Sequence, residues 1–344
     1  MGHLAKTYQH IADILSFENS NSQLEATLSH STFDWDAIVV VGSRHVVLPA
    51  IYCRLKAKQL LHTLPDDLET YLEELTSINR NRNKSILKQV HAISQLLSAH
   101  SIDHVFLKGA ALLALGCYED NAERMVGDID ILISKSQLHL AFDLLKANGY
   151  SKTFGYAYET IGFRHLDRLI APEELAAIEL HSDLLIPKYR HLIAIDLVLE
   201  SKRYVNTVAL PDAYMMSKHS ILAWQLNDLG HYYNAIHFKT FYDSLVLHVP
   251  SNEALLLDLS KFNFGRSYLE LAKHYFKAFH SYPSHKDSKS HLYFHQKYTN
   301  NWCYSAVLRP LKRGYIYCLT RLKLVVYNKF YRRHLLKKIF FIQK

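Results

Sequence analysis

Apolar positions recur at helical spacing through the first hundred residues. Leu68, Tyr71, Leu72, Leu75 and Ile78 stand at i, i+3, i+4, i+7 and i+10, and Ile86, Val90, Ile93 and Leu97 resume the rhythm beyond a polar stretch rich in Asn and Arg. This pattern predicts amphipathic helices packed on a neighbour. Pro65 followed by Asp66 and Asp67 predicts where the first begins, because proline suits an opening helical turn and acids there complement the helix dipole. Near residue 102 the texture changes. Ile102, Val105, Phe106 and Leu107 form a short apolar segment closed by Lys108-Gly109, after which residues 110–115 return to helix formers. The expectation is a buried strand, a tight turn at Gly109 and a helix. Residues 117–127 read as a polar loop, 128–134 as a second strand carrying two acids, and 136–147 as a helix stopped by Asn148-Gly149. Residues 161–170 and 175–185 read as two strands of a hairpin, joined by Ala171-Pro172-Glu173-Glu174. Helical spacing returns at Tyr214, Ile221, Leu222 and Leu229, and again at Phe241, Leu245 and Val249.

The fold class expected is therefore mixed α/β (α+β). A helical region spans 1–100, a core with a small mixed sheet 101–200, a second helical region 201–287, and a basic segment 288–344.

Composition narrows this picture. The 344 residues are 49% hydrophobic, with 11 Gly and 8 Pro, so the chain can bury a large core and is neither disordered nor fibrous. Its four cysteines, Cys53, Cys117, Cys303 and Cys318, lie far apart with no C-x-x-C pair, which argues against a zinc ribbon or disulfide framework and reads as reduced thiols. Charged residues within the first twenty speak against a secretion signal, and no apolar window reaches the roughly 18–20 residues of a membrane span. A cytoplasmic chain is expected, with peripheral membrane placement left open by its charge distribution. All 32 Asp/Glu lie at or before Asp287, and 13 of the 40 Lys/Arg lie after it, so residues 1–287 carry 27 basic and 32 acidic groups, a net of −5. The formal +8 of the whole chain thus belongs to residues 289–344, where cations alternate with rings such as Tyr315, Tyr317, Tyr327 and Phe330. Such a segment could lie on an anionic membrane surface, bind nucleic acid or dock on a partner. It could equally pack an apolar stripe on the body and leave its cations solvated.

The strongest chemical signal is the run Gly127-Asp128-Ile129-Asp130-Ile131-Leu132-Ile133. Side chains alternate along a strand, so Asp128 and Asp130 share one face about 6–7 Å apart. At that distance their mutual repulsion is roughly 3 kcal/mol at an effective dielectric of about 20, which a divalent cation would offset. Mg²⁺ takes such oxygen ligands together with substrate phosphates and water. Upstream, Phe106-Leu107-Lys108-Gly109-Ala110-Ala111 places a glycine and a lysine where a strand feeds a helix, a setting in which backbone amides can meet phosphate. Gly109 precedes Asp128 by 19 residues.

These features resemble the nucleotidyltransferase superfamily, with its DNA polymerase β-like fold. More narrowly, Leu107-Lys108-Gly109, Arg124, the 127–133 run and Ile178-Glu179-Leu180-His181 are similar to an uncharacterised bacterial nucleotidyltransferase family, over about Trp35 to Leu247. The resemblance implies a site for two Mg²⁺ ions with Asp128, Asp130 and Glu179 as catalytic acids and metal ligands. It also implies an NTP, ATP included, as the nucleotide donor. Strand alternation agrees, since Ala177, Glu179 and His181 share one face. Lys108, Gly109 and Arg124 are the candidate NTP-binding residues, Arg124 because a planar guanidinium suits phosphate oxygens. The chain departs from the superfamily at the turn, where Gly109-Ala110 stands in place of Gly-Ser or Gly-Gly and the spacing to the first acid is longer. His165, His181 and His219 could orient substrate or carboxylates, although 22 histidines make each an ordinary polar residue by default. Asp243 reads as a helix-surface acid. The expected activity is metal-dependent transfer of a nucleoside monophosphate from an NTP to the hydroxyl of an acceptor, a small molecule, protein or RNA. The alternatives are a non-catalytic protein that keeps the fold and recruits nucleic acid or membrane, and a metal-dependent phosphohydrolase.

Overall fold

The computed structural model describes residues 3–18, 20–153 and 164–341. Five helices come first: α1 His3–Leu15, α2 Asn21–Leu28, α3 Trp35–Arg44, α4 Leu48–Ala57 and the 34-residue α5 Asp66–Ala99. The sheet region follows, with β1 His104–Leu107, α6 Lys108–Leu115, β2 Asp128–Ile133, α7 Leu138–Ala147, β3 Ser151–Lys152, β4 Leu169–Ile170 and β5 Ala177–His181. After α8 Ile195–Glu200, a separate hairpin is made by β6 Arg203–Val205 and β7 Val208–Leu210. Helices complete the chain: α9 Ala213–Leu222, α10 Gly230–Tyr233, α11 Phe238–Val246, α12 Glu253–Ser260, α13 Asn263–Tyr275, α14 Ser288–Asn300, α15 Arg309–Tyr327 and α16 Lys329–Phe341. The class is mixed helix and sheet, and one continuous cluster of buried apolar side chains runs from Tyr8 to Tyr282.

The main sheet has the order β1-β2-β5-β4-β3. β1 is antiparallel to β2, β2 is parallel to β5 through the α7 crossover, and β4 is antiparallel to β5. β1, β2 and β5 carry near-continuous apolar burial, Val105, Phe106, Ile129, Ile131, Leu132 and Ile178 among them, as strands covered on both faces do. The expected hairpin shrinks to a short ladder: β4 holds two residues, β5 starts at Ala177, and residues 161–163 of the expected first strand lie outside the described residues. The helix expected at 136–147 starts at Leu138, with Gly149 supplying the left-handed φ of 92° beyond its end.

α5 begins at Asp66, where Pro65 and the acids place it. Its buried stripe nevertheless departs from the apolar pattern in the sequence. Leu72, Thr76, Asn79, Asn83, Ile86, Val90, Ile93 and Leu97 face inward, while Tyr71 and Ile78 are exposed. Asn79 and Asn83 of the polar stretch are thus core while Asn81 and Lys84 face solvent, and the side-chain amides of the two buried asparagines donate to nearby carbonyls. Asn79 Nδ2 donates to the Ala122 carbonyl at 2.7 Å, and Asn83 Nδ2 donates to the carbonyls of Asn121 and Arg124 at 2.5 and 2.8 Å. Arg80 forks onto Asp120, Arg82 donates to the Val126 carbonyl, and Gln89 Nε2 donates to the Ala176 carbonyl at 2.9 Å. One helix face thereby grips both the loop that enters β2 and the residue that enters β5.

Candidate functional site

The turn after β1 differs from the sequence expectation in an instructive way. The residue with left-handed backbone is Lys108, φ 50°, whereas Gly109 is not among the positive-φ residues. What Gly109 supplies is space: a Cβ there would lie 3.0 Å from Val126 Cγ2. The left-handed geometry at a lysine costs about 1–2 kcal/mol, and it throws the side chain back over the sheet. Leu107 pairs with Asp130 in the β1–β2 register, and Lys108 Nζ lies 2.6 Å from Asp130 Oδ1.

Parallel pairing of β2 with β5 sets Asp130 opposite Glu179. His181, two residues on and so on the same face, meets Asp130 Oδ1 with Nε2 at 2.7 Å and Glu179 Oε2 at 3.6 Å. Arg168, just before β4, donates from Nε to Glu179 Oε1 at 2.6 Å and from Nη2 to Asp128 Oδ2 at 2.8 Å. Arg168 thus bridges Glu179 and Asp128, while Asp130 is held by Lys108 and His181. The ligand atoms of Asp130, Glu179 and His181 all lie within 4.8 Å of one another.

Electrostatics separates the acids. Burial opposes ionisation of Asp130, but Lys108 and His181 outweigh it and hold its carboxyl well below the usual range. Glu179 is likewise penalised by burial, yet hydrogen bonds from His181 and Arg168 bring it down to about 2. Asp128 moves the other way, pushed up by burial and by the charge of Asp130. His219 is buried beside this group, its imidazole lowered to about 3 by burial and by the charges of Lys108 and His181.

Arg124, expected to meet triphosphate, is 6% exposed and forks onto Asp243 with Nε at 2.9 and 3.2 Å. Asp243, in α11, is 1% exposed and also accepts a 2.6 Å hydrogen bond from Tyr118 Oη. Both expectations are corrected together: Asp243 is a core acid and not a helix-surface one, and the charge of Arg124 is matched inside the protein. The sequence gives no cue to this pairing, because the acid lies 119 residues away from a loop arginine.

Sequence reasoning left out Arg168, whose role depends on the register of a two-residue strand. His181 sits on the predicted face but was indistinguishable from the other histidines. Lys239, in the first turn of α11, interacts electrostatically with Arg124, Asp243, Asp128 and Lys108, and proximity to Arg124 together with burial lowers it to about 8. No ion pair to Lys239 is formed among the described residues, and nothing in its local sequence marks it. All four cysteines are free thiols.

No curated protein matches the chain in sequence. Among solved structures, an antigenic nucleotidyltransferase-like protein from Paracoccidioides brasiliensis is similar at 15% identity, covering 56% of this chain and 93% of that one with a TM-score of 0.35, too low to carry an argument here. The family model described as uncharacterised nucleotidyltransferase matches residues 31–279, nearly three quarters of the chain and beyond both ends of the similarity seen in the motifs. With that span and the strand, turn and acid motifs inside it, the chain belongs to the uncharacterised nucleotidyltransferase family.

Proposed function

We propose that this chain transfers a nucleoside monophosphate from an NTP to an acceptor hydroxyl at the Asp128, Asp130 and Glu179 cluster, with release of pyrophosphate. The observation that carries the reading is the register of β2 and β5, which sets Asp130 against Glu179 and leaves Arg168 bridging Glu179 to Asp128.

The residues fit a divalent cation such as Mg²⁺, because carboxylate oxygens and one imidazole nitrogen converge within 4.8 Å. When bound, such ions would polarise the phosphoryl oxygens and acidify the acceptor hydroxyl. The protein's own part is charge placement. Lys108 and Lys239 direct positive charge at the cluster and suit triphosphate oxygens. Arg168 is 53% exposed at its side chain, so its fork can leave the acids for phosphate. In the transfer, the acceptor oxygen bonds to the α-phosphorus, the bond from that phosphorus to the bridging oxygen breaks, and pyrophosphate departs. The acceptor's proton would pass to a carboxylate of this cluster, where Asp128 is pushed up by burial and by the charge of Asp130 while Glu179 is held down by His181 and Arg168.

A second reading has its own support. Lys108, His181 and Arg168 already occupy the acids, as they would in a protein that keeps the fold without transferring nucleotides. Incubation with α-labelled and γ-labelled NTPs, Mg²⁺ and an acceptor library separates the readings. Label from the α position should enter product, and Asp128→Asn with Asp130→Asn should reduce that by about 10²–10³-fold while circular dichroism is unchanged. Loss of γ-phosphate alone means hydrolysis, and no turnover of either label supports the non-catalytic reading.

A further inference from the structure

The helix α15 is amphipathic, and among the described residues its apolar side has no cover. Leu311, Tyr315, Cys318, Leu322 and Val326 recur at three- and four-residue steps, which gathers them in a sector of about 80° on a helical projection. Leu311 is 63% exposed, Tyr315 61%, Leu322 59% and Val326 61%, and no residue of α15 is buried. Val307 and Leu308, in the turn that leads into the helix, are exposed as well. Scattered exposed leucines are ordinary, but a continuous stripe of them marks an interaction surface.

The charges around the stripe are of one sign. Lys312 and Lys323 border it on one side and Arg321 on the other, Arg309 and Arg313 lie opposite, and the chain has no acid after Asp287. The start of α15 is tied to the body, since the Lys312 ammonium sits 4.1 Å over the Tyr232 ring and donates to the Tyr232 carbonyl. Its end is tied to α16, where Arg332 Nη1 donates to the Val325 and Val326 carbonyls at 2.9 and 2.8 Å. The apolar stripe is therefore held in place and outward.

We propose that α15 lies in the interface of an anionic lipid bilayer, with its apolar sector among the acyl chains and the flanking cations Arg321 and Lys323 on phosphate headgroups. Charge complementarity and the aliphatic stripe select this occupant. A single-stranded nucleic acid would use the cations and the rings but leave Leu311, Leu322 and Val326 in water. A second copy of the chain would bring one set of flanking cations against another. Among the described residues no helix is long and apolar enough to cross a membrane, so α15 lies on the bilayer and does not span it. This inference stands independently of the transferase reading.

Cosedimentation of the full chain with vesicles tests it, using phosphatidylcholine alone and phosphatidylcholine mixed with phosphatidylglycerol. Binding should be at least about tenfold tighter on the anionic vesicles and weaken as salt is raised, each cation at the surface contributing about fivefold. Leu322→Glu should reduce binding by about tenfold or more, as should the pair Arg321→Glu and Lys323→Glu. Leu257→Glu, an equally exposed apolar site on α12 (69%), should leave it unchanged. Absence of binding to either vesicle overturns the proposal. So does binding that Leu322→Glu leaves intact, preference for an RNA oligonucleotide that displaces the vesicles, or a dimer in sedimentation velocity that Leu322→Glu abolishes without vesicle binding.

Discussion

Asp130 and Asp243 are buried to the same degree, each 1% exposed, and each meets a cation at hydrogen-bond distance. Their cations differ in where the rest of their surface lies. Arg124, the partner of Asp243, has a side chain 8% exposed, and its pair is closed off by Tyr118 and by the carbonyls that α5 holds. The cations on the sheet acids face outward: Lys108 is 32% exposed and Arg168 53%. A closed pair has nothing with which to exchange, so it can only hold structure. An open one can surrender its cations to an incoming phosphate or its acids to an incoming ion. Burial of the acid alone does not tell the two apart; the exposure of the counter-ion does.

The largest effect that would test this contrast is on the closed pair. Asp243→Ala strands the Arg124 charge in the core and should lower stability by about 3–5 kcal/mol in urea unfolding. Combining Arg124→Met with Asp243→Leu should recover most of that, less about 1–3 kcal/mol for the Tyr118 hydroxyl left without its acceptor.

Acid is the next lever, and it asks what gives way first. Burial, the leading cause in each, lowers His45 and His295 to about 4 and His219 to about 3, below the ordinary value of 6.5. Below pH 6.5 the unfolded chain takes up protons that these imidazoles refuse in the native state. Their contribution is therefore intact above 6.5 and is lost as pH falls towards 4, by up to about 1.4 kcal/mol per pH unit for each. Glu179 has a native value of about 2, so its contribution is present above the ordinary carboxylate range and is lost only as pH falls towards 2. Urea midpoints measured across this range should drop between about pH 6.5 and pH 4. His219→Asn should flatten that slope, and a decline that begins only below about pH 4 would mean that the sheet acids, and not the histidines, govern acid unfolding.

The smallest effect belongs to the open cluster. Arg168→Gln should change stability by only about 1–2 kcal/mol, because the lost cation is itself half in water although its partner Glu179 is buried. It should also tighten Mn²⁺ binding measured by calorimetry, because Asp128 and Glu179 lose their bridging cation. A stability loss as large as that of Asp243→Ala would erase the distinction between the two regions.

What could be read from the sequence follows the range of the interactions. The strand, turn and helix around Lys108, the second strand with its alternating acids, and the start of α5 rest on neighbours a few residues apart, and local pattern is enough. Glu179 came from the resemblance to the family, and a strand's two-residue period agreed with it by placing Glu179 on one face with Ala177 and His181. Arg168 and the Arg124–Asp243 pair depend on contacts 11 to 119 residues distant, and Lys239 on groups as far as Lys108, 131 residues away, for which the chain offers no local cue. The Asn79 to Asn83 stretch misled for a related reason: amides buried against loop carbonyls look, in sequence, like a solvated helix face. Glycine was legible as special at position 109, but the reason differed, since the crowding comes from Val126 and the backbone reversal from its neighbour.

That reversal bears on how the buried acid obtains its counter-charge. Lys108 follows directly on the residue that pairs with Asp130, so zippering of β1 onto β2 delivers the ammonium and the carboxylate to each other in the same event. The contact that compensates the acid needs only β1 and β2 and does not depend on β5. A lysine in a glycine-like bend secures, at a modest conformational penalty, the counter-charge of a buried acid.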